Sequence, residues 1–348
     1  MLDKNNILHH LKKKMLDIMK TIKLLQNSYL KPLNLLTLIS LALSITFVSC
    51  STEEYEQNDL SKNELSIVEV LEGFDVQESS DRRNSRPTFK TLNVALARTG
   101  LAGVVSSNRL TVFAPTDDAF AALGLNQRNI ASVPNLEAIL LYHVVGDIVF
   151  STDLSNGFVT TLNGAAVEVN LDNGVMINES NVISADIEAR NGVIHVIDEV
   201  LLPPTDNLLD LAESFDPEFS ILVDVLELTG LDSVIANNGP FTVFAPTNDA
   251  FVALLAELDG YDSLDDFDTP EDIELLTSVL LYHVVEGRVY SSDLESGPVT
   301  TLNGTFDLDL NTLTLTDNNG RDVGLIANLL NVQATNGVVH VIDRVLLP

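Results

Sequence analysis

Hydrophobic residues spaced three or four positions apart predict a series of short helices. Around residue 210 they form one apolar face, and Asp206 precedes that face as the expected N-cap residue. A second helix is expected to end at Gly230, because glycine readily takes the left-handed conformation that closes a helix. The apolar positions of these two helices are Leu208, Leu209, Leu211, Ala212 and Phe215, then Phe219, Leu222 and Leu226; Phe89, Leu92, Leu96 and Gly100 repeat the second stripe.

Alternation of apolar and polar residues predicts strands in the later part of the chain, each with one face in water. An Asn173-Gly174 pair between two alternating runs predicts a hairpin turn. Residues 242–245 predict a short buried strand, and Thr116 and Thr247 are placed to cap the helices that follow such strands. In the clearest alternation, Phe306, Leu308 and Leu310 are expected inward and Asp307 and Asp309 outward.

The chain contains one long internal repeat. The offset between matching blocks grows from 131 to 145, so the second copy has insertions of nine and five residues, expected in surface loops. We predict two α+β domains, residues 65–203 and 204–348, each running helices, a strand, helices and then strands. The matching blocks are 110–120 and 241–251, 140–145 and 280–285, 159–164 and 299–304, and 191–198 and 336–343.

These blocks resemble the fasciclin domain, a module of adhesive and matrix-associated proteins. The resemblance covers nearly all of residues 65–348. It implies a wedge of β-strands with helices packed to one side, and adhesion to an extracellular protein or glycan. The motifs that carry it are Thr-Val-Phe-Ala-Pro-Thr at 111–116 and 242–247, Tyr-His at 142–143 and 282–283, and Asn-Gly-Val-x-His-Val-Ile-Asp at 191–198 and 336–343.

The resemblance also suggests binding residues. Asp186-Ile187 occupies the place of an Asp-Ile pair that contributes to receptor binding in animal members, whereas the second copy has Asn331-Val332 and so lacks the carboxylate. The alternative is ordinary strand alternation, with a solvated Asp beside an inward Ile. The two Tyr-His pairs complete the candidate binding set: Tyr142, His143, Tyr282 and His283.

The sequence offers no catalytic or cofactor-binding motif, and we predict neither an enzyme nor a metal site. His143, His195, His283 and His340 form one pair per copy, but no third ligand follows at metal-binding spacing, and each lies in an apolar run typical of a core. Strand alternation accounts for the acidic residues at 307–311 better than a calcium loop does, and residues 317–320 predict a turn. No serine lies in a nucleophile-elbow motif.

The N-terminal region predicts export. An apolar run from Leu33 to Val48 is short for a membrane span and suits a signal peptide. Residues 46–50 resemble a bacterial lipobox that ends at Cys50, the chain's one cysteine, although Phe47 replaces the usual Leu. We predict a signal peptide over residues 1–49, lipidation at Cys50 and an acidic tether over 50–64. That tether resembles the surface-export signal of Bacteroidetes lipoproteins.

The net charge of the chain limits the kinds of partner that it is expected to bind. The chain carries a net −31, and residues 1–49 hold seven Lys and two Asp, so the remainder carries −36. Such a surface repels phosphate backbones and acidic headgroups. We therefore predict no nucleic-acid partner, and membrane contact through the lipid anchor only. The expected location is the outer membrane, facing the exterior or else the periplasm. A small-ligand or glycan-binding lipoprotein is the alternative to an adhesin.

Overall fold

The computed structural model describes residues 65–77, 86–258 and 260–348. All of them fall within one compact unit, Asn58–Pro348. The repeat folds twice in the predicted order of helices, a strand, helices and strands, which confirms the α+β class. Cys50, the predicted signal peptide and the predicted tether lie outside the described residues. No helix in the described part of the chain is long and apolar enough to cross a bilayer.

The first copy, called domain one below, forms a single seven-stranded sheet in the order β2-β1-β7-β6-β5-β4-β3, in which β1 and β7 run parallel. Its helices are α1 (Ile67–Gln77), α2 (Lys90–Thr99), α3 (Ala102–Ser107), α4 (Asp117–Ala122) and α5 (Leu136–Tyr142). Its strands are β1 (Leu110–Pro115), β2 (Val144–Val145), β3 (Gly157–Thr160), β4 (Ala166–Asn170), β5 (Met176–Ile177), β6 (Ser180–Ala189) and β7 (Gly192–Ile197).

The second copy, domain two, has two four-stranded sheets, β14-β15-β8-β9 and β10-β11-β12-β13, and β8 again runs parallel to β15. Its helices are α6 (Leu208–Ser214), α7 (Ser220–Thr229), α8 (Asp232–Asn237), α9 (Asn248–Glu257) and α10 (Pro270–Tyr282). Its strands are β8 (Phe241–Pro246), β9 (Val284–Glu286), β10 (Gly297–Thr301), β11 (Gly304–Asp309), β12 (Thr314–Thr316), β13 (Asp322–Gly324), β14 (Val332–Ala334) and β15 (Gly337–Ile342).

The central strand of each domain separates two hydrophobic cores. All six residues of β1 are buried. Val112 and Ala114 pack against the helices, whereas Phe113 packs on the opposite side with residues of β4, β5 and β7. Alternate residues of this strand thus face two apolar layers, which explains its continuous hydrophobic run. The helices therefore cover one side of the sheet, as the resemblance implied.

The predicted helix ends are mostly confirmed. Thr116 and Thr247 cap α4 and α9, since their hydroxyls accept hydrogen bonds from backbone N–H groups three residues on. Gly100 and Gly230 close α2 and α7 in the left-handed conformation, with φ of 76° and 69°. The cap predicted at Asp206 is wrong. The side chain of Asn207 caps α6 instead, because that helix begins one residue later than expected.

The predicted strands are also confirmed. Phe306 and Leu308 are buried, whereas Asp307 and Asp309 are exposed. Leu310, also predicted inward, follows the end of β11 and is half-buried. Strands β4 and β5 pair as an antiparallel hairpin across residues 171–175. The nine-residue insertion differs from a simple surface loop: it lengthens α9 relative to α4 and then packs Phe267 into the helical core of domain two.

Candidate functional site

The histidine of each Tyr-His pair is buried and connects two segments of its domain by hydrogen bonds. His143 Nδ1 donates to the carbonyl of Ile139 at 2.7 Å, and its Nε2 accepts the backbone N–H of Leu201 at 2.9 Å. His283 makes the same two bonds in domain two. Both rings must be neutral to do so, since Nε2 has to keep its lone pair. Burial lowers the pKa of each to about 4, although the hydrogen bond to the helix carbonyl acts in the opposite direction.

The tyrosines of these pairs anchor the strands beyond them. The Tyr142 hydroxyl donates to the carbonyl of Ala166 at 2.8 Å, and the Tyr282 hydroxyl donates to that of Thr305. Burial raises the pKa of Tyr282 to about 12. All four Tyr-His side chains are at most 3% exposed. Binding through them remains a prediction, and the geometry favours a structural role, because a ligand would have to open the core to reach them.

The asparagine of the last repeated block joins three elements. Asn191 Oδ1 accepts the N–H of Ile67 at the start of α1, and its Nδ2 donates to the carbonyls of Val105 and Asn108 around the end of α3. Asn336 makes the corresponding bonds to α6, α8 and the residue after α8. Losing such a buried set leaves several backbone groups unsatisfied, at a cost of about 1–3 kcal/mol for each group.

The backbone conformation and hydrogen bonds of Asp186 indicate a structural role. It has a φ of 57°, and Asn331 has one of 60° at the corresponding place. The Asp186 carboxylate accepts the N–H and the hydroxyl of Ser151, just as Asn331 bonds the N–H and hydroxyl of Ser291. Asn and Asp tolerate this left-handed conformation better than most residues do. The predicted difference in charge between the copies is real, but both side chains hold the same loop.

The surroundings of Asp186-Ile187 agree with that role. Burial raises the pKa of the Asp186 carboxyl, but the hydrogen bonds from Ser151 outweigh it, and the pKa lies below its ordinary value. His195 accepts the backbone N–H of Asp186 and donates to the carbonyl of Val149 at 2.9 Å. Ile187 is half-buried against the helical core. Receptor binding by this pair stays a prediction, with the carboxylate only partly available.

The two domains meet at a compact junction that was not predicted from the sequence. Ala166 N–H donates to the Tyr290 hydroxyl at 3.1 Å and to Gln333 Oε1 at 3.0 Å, and Gln333 Nε2 donates back to the Ala166 carbonyl at 2.8 Å. The Tyr290 ring stacks on Phe158 with centroids 4.7 Å apart. The side-chain amide of Gln333 thus pairs with the backbone at the start of β4, and this holds domain two against domain one.

A polar cleft of about 490 Å³ opens beside this junction. Residues of both domains line it, including Phe158, Glu168, Glu179, Asn331 and Gln333. The amides are already engaged within the protein, whereas Glu168 and Glu179 are exposed. The groups that the cleft offers to a partner are therefore mainly carboxylates, which suit a cationic or hydrogen-bond-donating partner. Among the described residues, no group of three or more His, Cys, Asp or Glu side chains could hold a metal ion.

Two stretches of the chain, residues 87–203 and 217–348, match the family model described as the fasciclin domain. Together they make up well over half of the sequence. The chain belongs to the fasciclin domain family. The repeated blocks that suggested the family contain, in this chain, the residues whose hydrogen bonds connect the elements of each fasciclin domain.

Known relatives share this module in different settings. Transforming growth factor-beta-induced protein ig-h3 of Sus scrofa is 31% identical over 247 residues, which cover 68% of this chain and 34% of that protein. Protein sll1483 of Synechocystis sp. is 43% identical over 146 residues, covering 40% of this chain and 74% of that protein. This chain thus spans about a third of the length of ig-h3.

A solved FAS1 domain pair from the insect cell adhesion molecule Fasciclin I aligns with 74% of this chain and 96% of its own, at a TM-score of 0.36 and 21% identity.

The second fasciclin domain contains an apolar cavity of about 110 Å³, partly open to solvent, between its helices and strands β8 and β15. Leu211, Ala212 and Phe215 of α6 and the residue after it line one side, and Val243 and Val339 line the other. The only ionisable side chains in the lining are Glu218, which is exposed, and His283, whose two ring nitrogens are both bonded. A cavity without free polar groups offers a ligand apolar contacts only.

Proposed function

We propose that this protein is a non-catalytic, lipid-anchored adhesion protein whose two fasciclin domains bind an extracellular protein or glycan. The family match over both copies is the observation that carries the proposal. The junction supports it, because two domains fixed by the Tyr290 and Gln333 contacts present one continuous surface to a partner. In this proposal the domains are residues 65–203 and 204–348. The strongly perturbed pKa values belong to buried, hydrogen-bonded side chains, as expected of a scaffold.

The anchor is part of the same proposal. Lipidation at Cys50 after removal of residues 1–49, followed by the acidic tether, would hold the domains at the outer membrane with their surfaces free. Several acyl chains anchor a protein much more firmly than one chain does, because each buried methylene contributes about 0.8 kcal/mol.

Replacing Cys50 with serine tests anchoring and display together. The wild-type protein is expected to have a mature mass that begins at a lipid-modified Cys50, and external protease should remove it from intact cells. The C50S variant should lack the lipid mass and no longer fractionate with the outer membrane. Cells with the wild-type protein should attach better to a surface coated with matrix extract. An unmodified Cys50, or full protection from protease in cells with an intact outer membrane, would contradict the anchor or the outward face respectively.

The apolar cavity favours a second candidate function, the binding of a small apolar ligand in domain two. A closed cavity of about 150 Å³ with a similar lining binds benzene, and this smaller cavity of about 110 Å³ opens partly to solvent, so that it can take the ring without enclosing it. Benzene is therefore expected to raise the melting temperature of the 51–348 fragment in a saturable way, because a ligand that binds only the folded state stabilises it. Ala212→Leu, which fills the cavity, should abolish the increase, whereas Ala236→Leu on the neighbouring helix α8 should not. Equal responses in both variants would argue against the cavity as the site.

A further inference from the structure

The junction joins two different surfaces. On domain two, Tyr290, Ser292 and Gln333 form what we call the docking face. On domain one, Gly157 and Ala166 belong to what we call the receiving edge, together with Phe158. Tyr290 and Gln333 bond Ala166, and a Cβ on Gly157 would lie 3.1 Å from Ser292 Cβ. The two domains are repeats of each other, so each has its own version of both surfaces. The junction uses one docking face and one receiving edge, and the other version of each surface is left unused.

Domain one carries its own version of the docking face. The loop bond between Ser151 and Asp186 corresponds to that between Ser291 and Asn331, and this aligns the two domains in this region. The neighbours of these residues then correspond as well. Phe150 stands in the place of Tyr290, Thr152 in that of Ser292, and Glu188 in that of Gln333.

Domain two carries its own version of the receiving edge. Tyr282 bonds the carbonyl of Thr305 as Tyr142 bonds that of Ala166, so Thr305 corresponds to Ala166. Gly297 corresponds to Gly157 and has the same unusual backbone, with φ of 136° against 145°. A Cβ on Gly297 would meet nothing within 4 Å, so this edge is open where its counterpart is covered.

We propose that a second copy of this chain docks head to tail, with its receiving edge of domain two on the docking face of domain one. The contact repeats the intrachain junction: Thr152 lies over Gly297, and Phe150 packs on Pro298, the counterpart of Phe158. Because the two surfaces are unlike and lie on different domains, each added copy leaves both available at the ends. The product is a head-to-tail chain of copies, which stays open unless the rotation at successive contacts closes it into a ring.

The charges on the two surfaces are complementary. Arg109 and Arg190 are exposed beside the docking face of domain one, around a depression of about 230 Å³ that Glu188 and Gly192 also line. In domain two, Arg288 occupies the matching place by donating to the Gly337 and Thr335 carbonyls. Ile148 replaces that arginine in domain one, and the depression remains open.

The receiving edge of domain two is acidic. Asp307 and Asp309 project from β11 beside Thr305, and both are exposed. Two exposed arginines beside one surface and two exposed aspartates beside the other are therefore opposite in charge, in a chain whose net charge is strongly negative. Complementary charges of this kind select the partner and its register more than they add affinity.

Two substitutions keep this contact weaker than the junction. Phe150 lacks the hydroxyl of Tyr290, and Glu188 lacks the N–H donor with which Gln333 bonds the Ala166 carbonyl. Each missing hydrogen bond is worth about 1 kcal/mol, or roughly five-fold in affinity. Restoring both groups with F150Y/E188Q is therefore expected to strengthen self-association at least ten-fold. Because this variant is expected to strengthen the contact, its effect cannot be mistaken for a loss of folding.

Sedimentation velocity of the 51–348 fragment in about 0.15 M salt tests the proposal, since this salt screens the net repulsion beyond about 8 Å. The wild type should form a series of species that grows with concentration, and F150Y/E188Q should shift the series to at least ten-fold lower concentration. R109E/R190E should sediment as a monomer, whereas R128E, an exposed charge reversal elsewhere, should behave as the wild type does.

A mixture of two charge-reversed variants gives the most direct test of the proposed contact. R109E/R190E and D307R/D309R should each be monomeric alone. In a mixture the reversed face of the first pairs with the reversed edge of the second, and the native edge of the first pairs with the native face of the second, so assembly should resume with the two variants alternating. The proposal is overturned if F150Y/E188Q stays monomeric at millimolar concentration. It is equally overturned if the two charge-reversed variants fail to pair.

Discussion

Replacing Gly192 with alanine is expected to unfold the first fasciclin domain under conditions in which the second stays folded. A Cβ at this position would lie 1.9 Å from the carbonyl oxygen of Leu110 and 2.9 Å from Ile67 Cδ1. The backbone oxygen belongs to the first residue of β1, which pairs in parallel with β7 from Leu110 to Pro115. The clash therefore forces the two central strands apart, at a cost above about 4 kcal/mol, the range of severe core changes.

The chain offers a matched control for this substitution. Gly103 lies in α3, and a Cβ there meets nothing within 4 Å, so G103A is expected to stabilise domain one by about 0.5–1 kcal/mol. Urea unfolding followed by hydrogen-exchange mass spectrometry resolves the two domains. If G192A left the protection of β1 and β7 within about 1 kcal/mol of the wild type, the close approach described here would be wrong.

This close approach explains what the repeated motifs mean. Sequence alone identified the Asn-Gly-Val-x-His-Val-Ile-Asp block, and it predicted the fold class, the helix ends at Gly100 and Gly230, and the alternation around Phe306. It could not separate a motif kept for binding from one kept for packing. The structure shows Asn191 joining α1 to α3 and Gly192 making room for β1. Each requirement depends on a residue more than 80 positions away.

The junction was missed for a related reason. Tyr290 and Gln333 are unremarkable polar residues in sequence, and the backbone that they bond lies in the other domain. One signal was present: at both positions the copies differ, with Phe150 and Glu188 in domain one. Positions at which a repeat departs from its own pattern indicate what the copies do differently.

The same comparison bears on Asp186. In sequence the exchange for Asn331 removes a charge, and it suggested that only domain one could bind through this position. In the structure both residues have φ near 60°, and their side chains hold a loop through its serine. That loop leads directly into the docking face. Residue 186 thus affects any partner of that face through the position of Thr152 and Phe150.

Lowering the pH from 7 to 5 is expected to destabilise each fasciclin domain by about 2 kcal/mol through one buried histidine. His143 and His283 have folded-state pKa values of about 4, against 6.5 for an unperturbed side chain. The unfolded chain therefore binds the proton more readily than the folded chain. The stability is present in full above pH 6.5 and is lost as the pH falls towards 4. The complete difference is about 3 kcal/mol for each histidine.

Replacing one histidine assigns the effect to its domain. In H143Q, domain one should start less stable at pH 7, because the ties to Ile139 and Leu201 are altered, but its stability should no longer fall between pH 7 and 5. Domain two should keep the wild-type slope and acts as the internal control. In H283Q the slope of domain two should decrease but not vanish, because burial also lowers the pKa of His340. Hydrogen exchange measured for each domain along the pH series gives both slopes.

An NMR titration of the wild-type imidazoles provides a second readout that does not depend on the variants folding. The resonances of His143 and His283 should stay at their neutral positions down to about pH 5, since a protonated Nε2 would point its hydrogen at the N–H of Leu201 or Leu346. Midpoints near 6.5, or an unchanged slope for domain one in H143Q, would show that these rings accept protons without opening the fold. The tie between each Tyr-His pair and the final segment of its domain would then be weaker than the structure indicates.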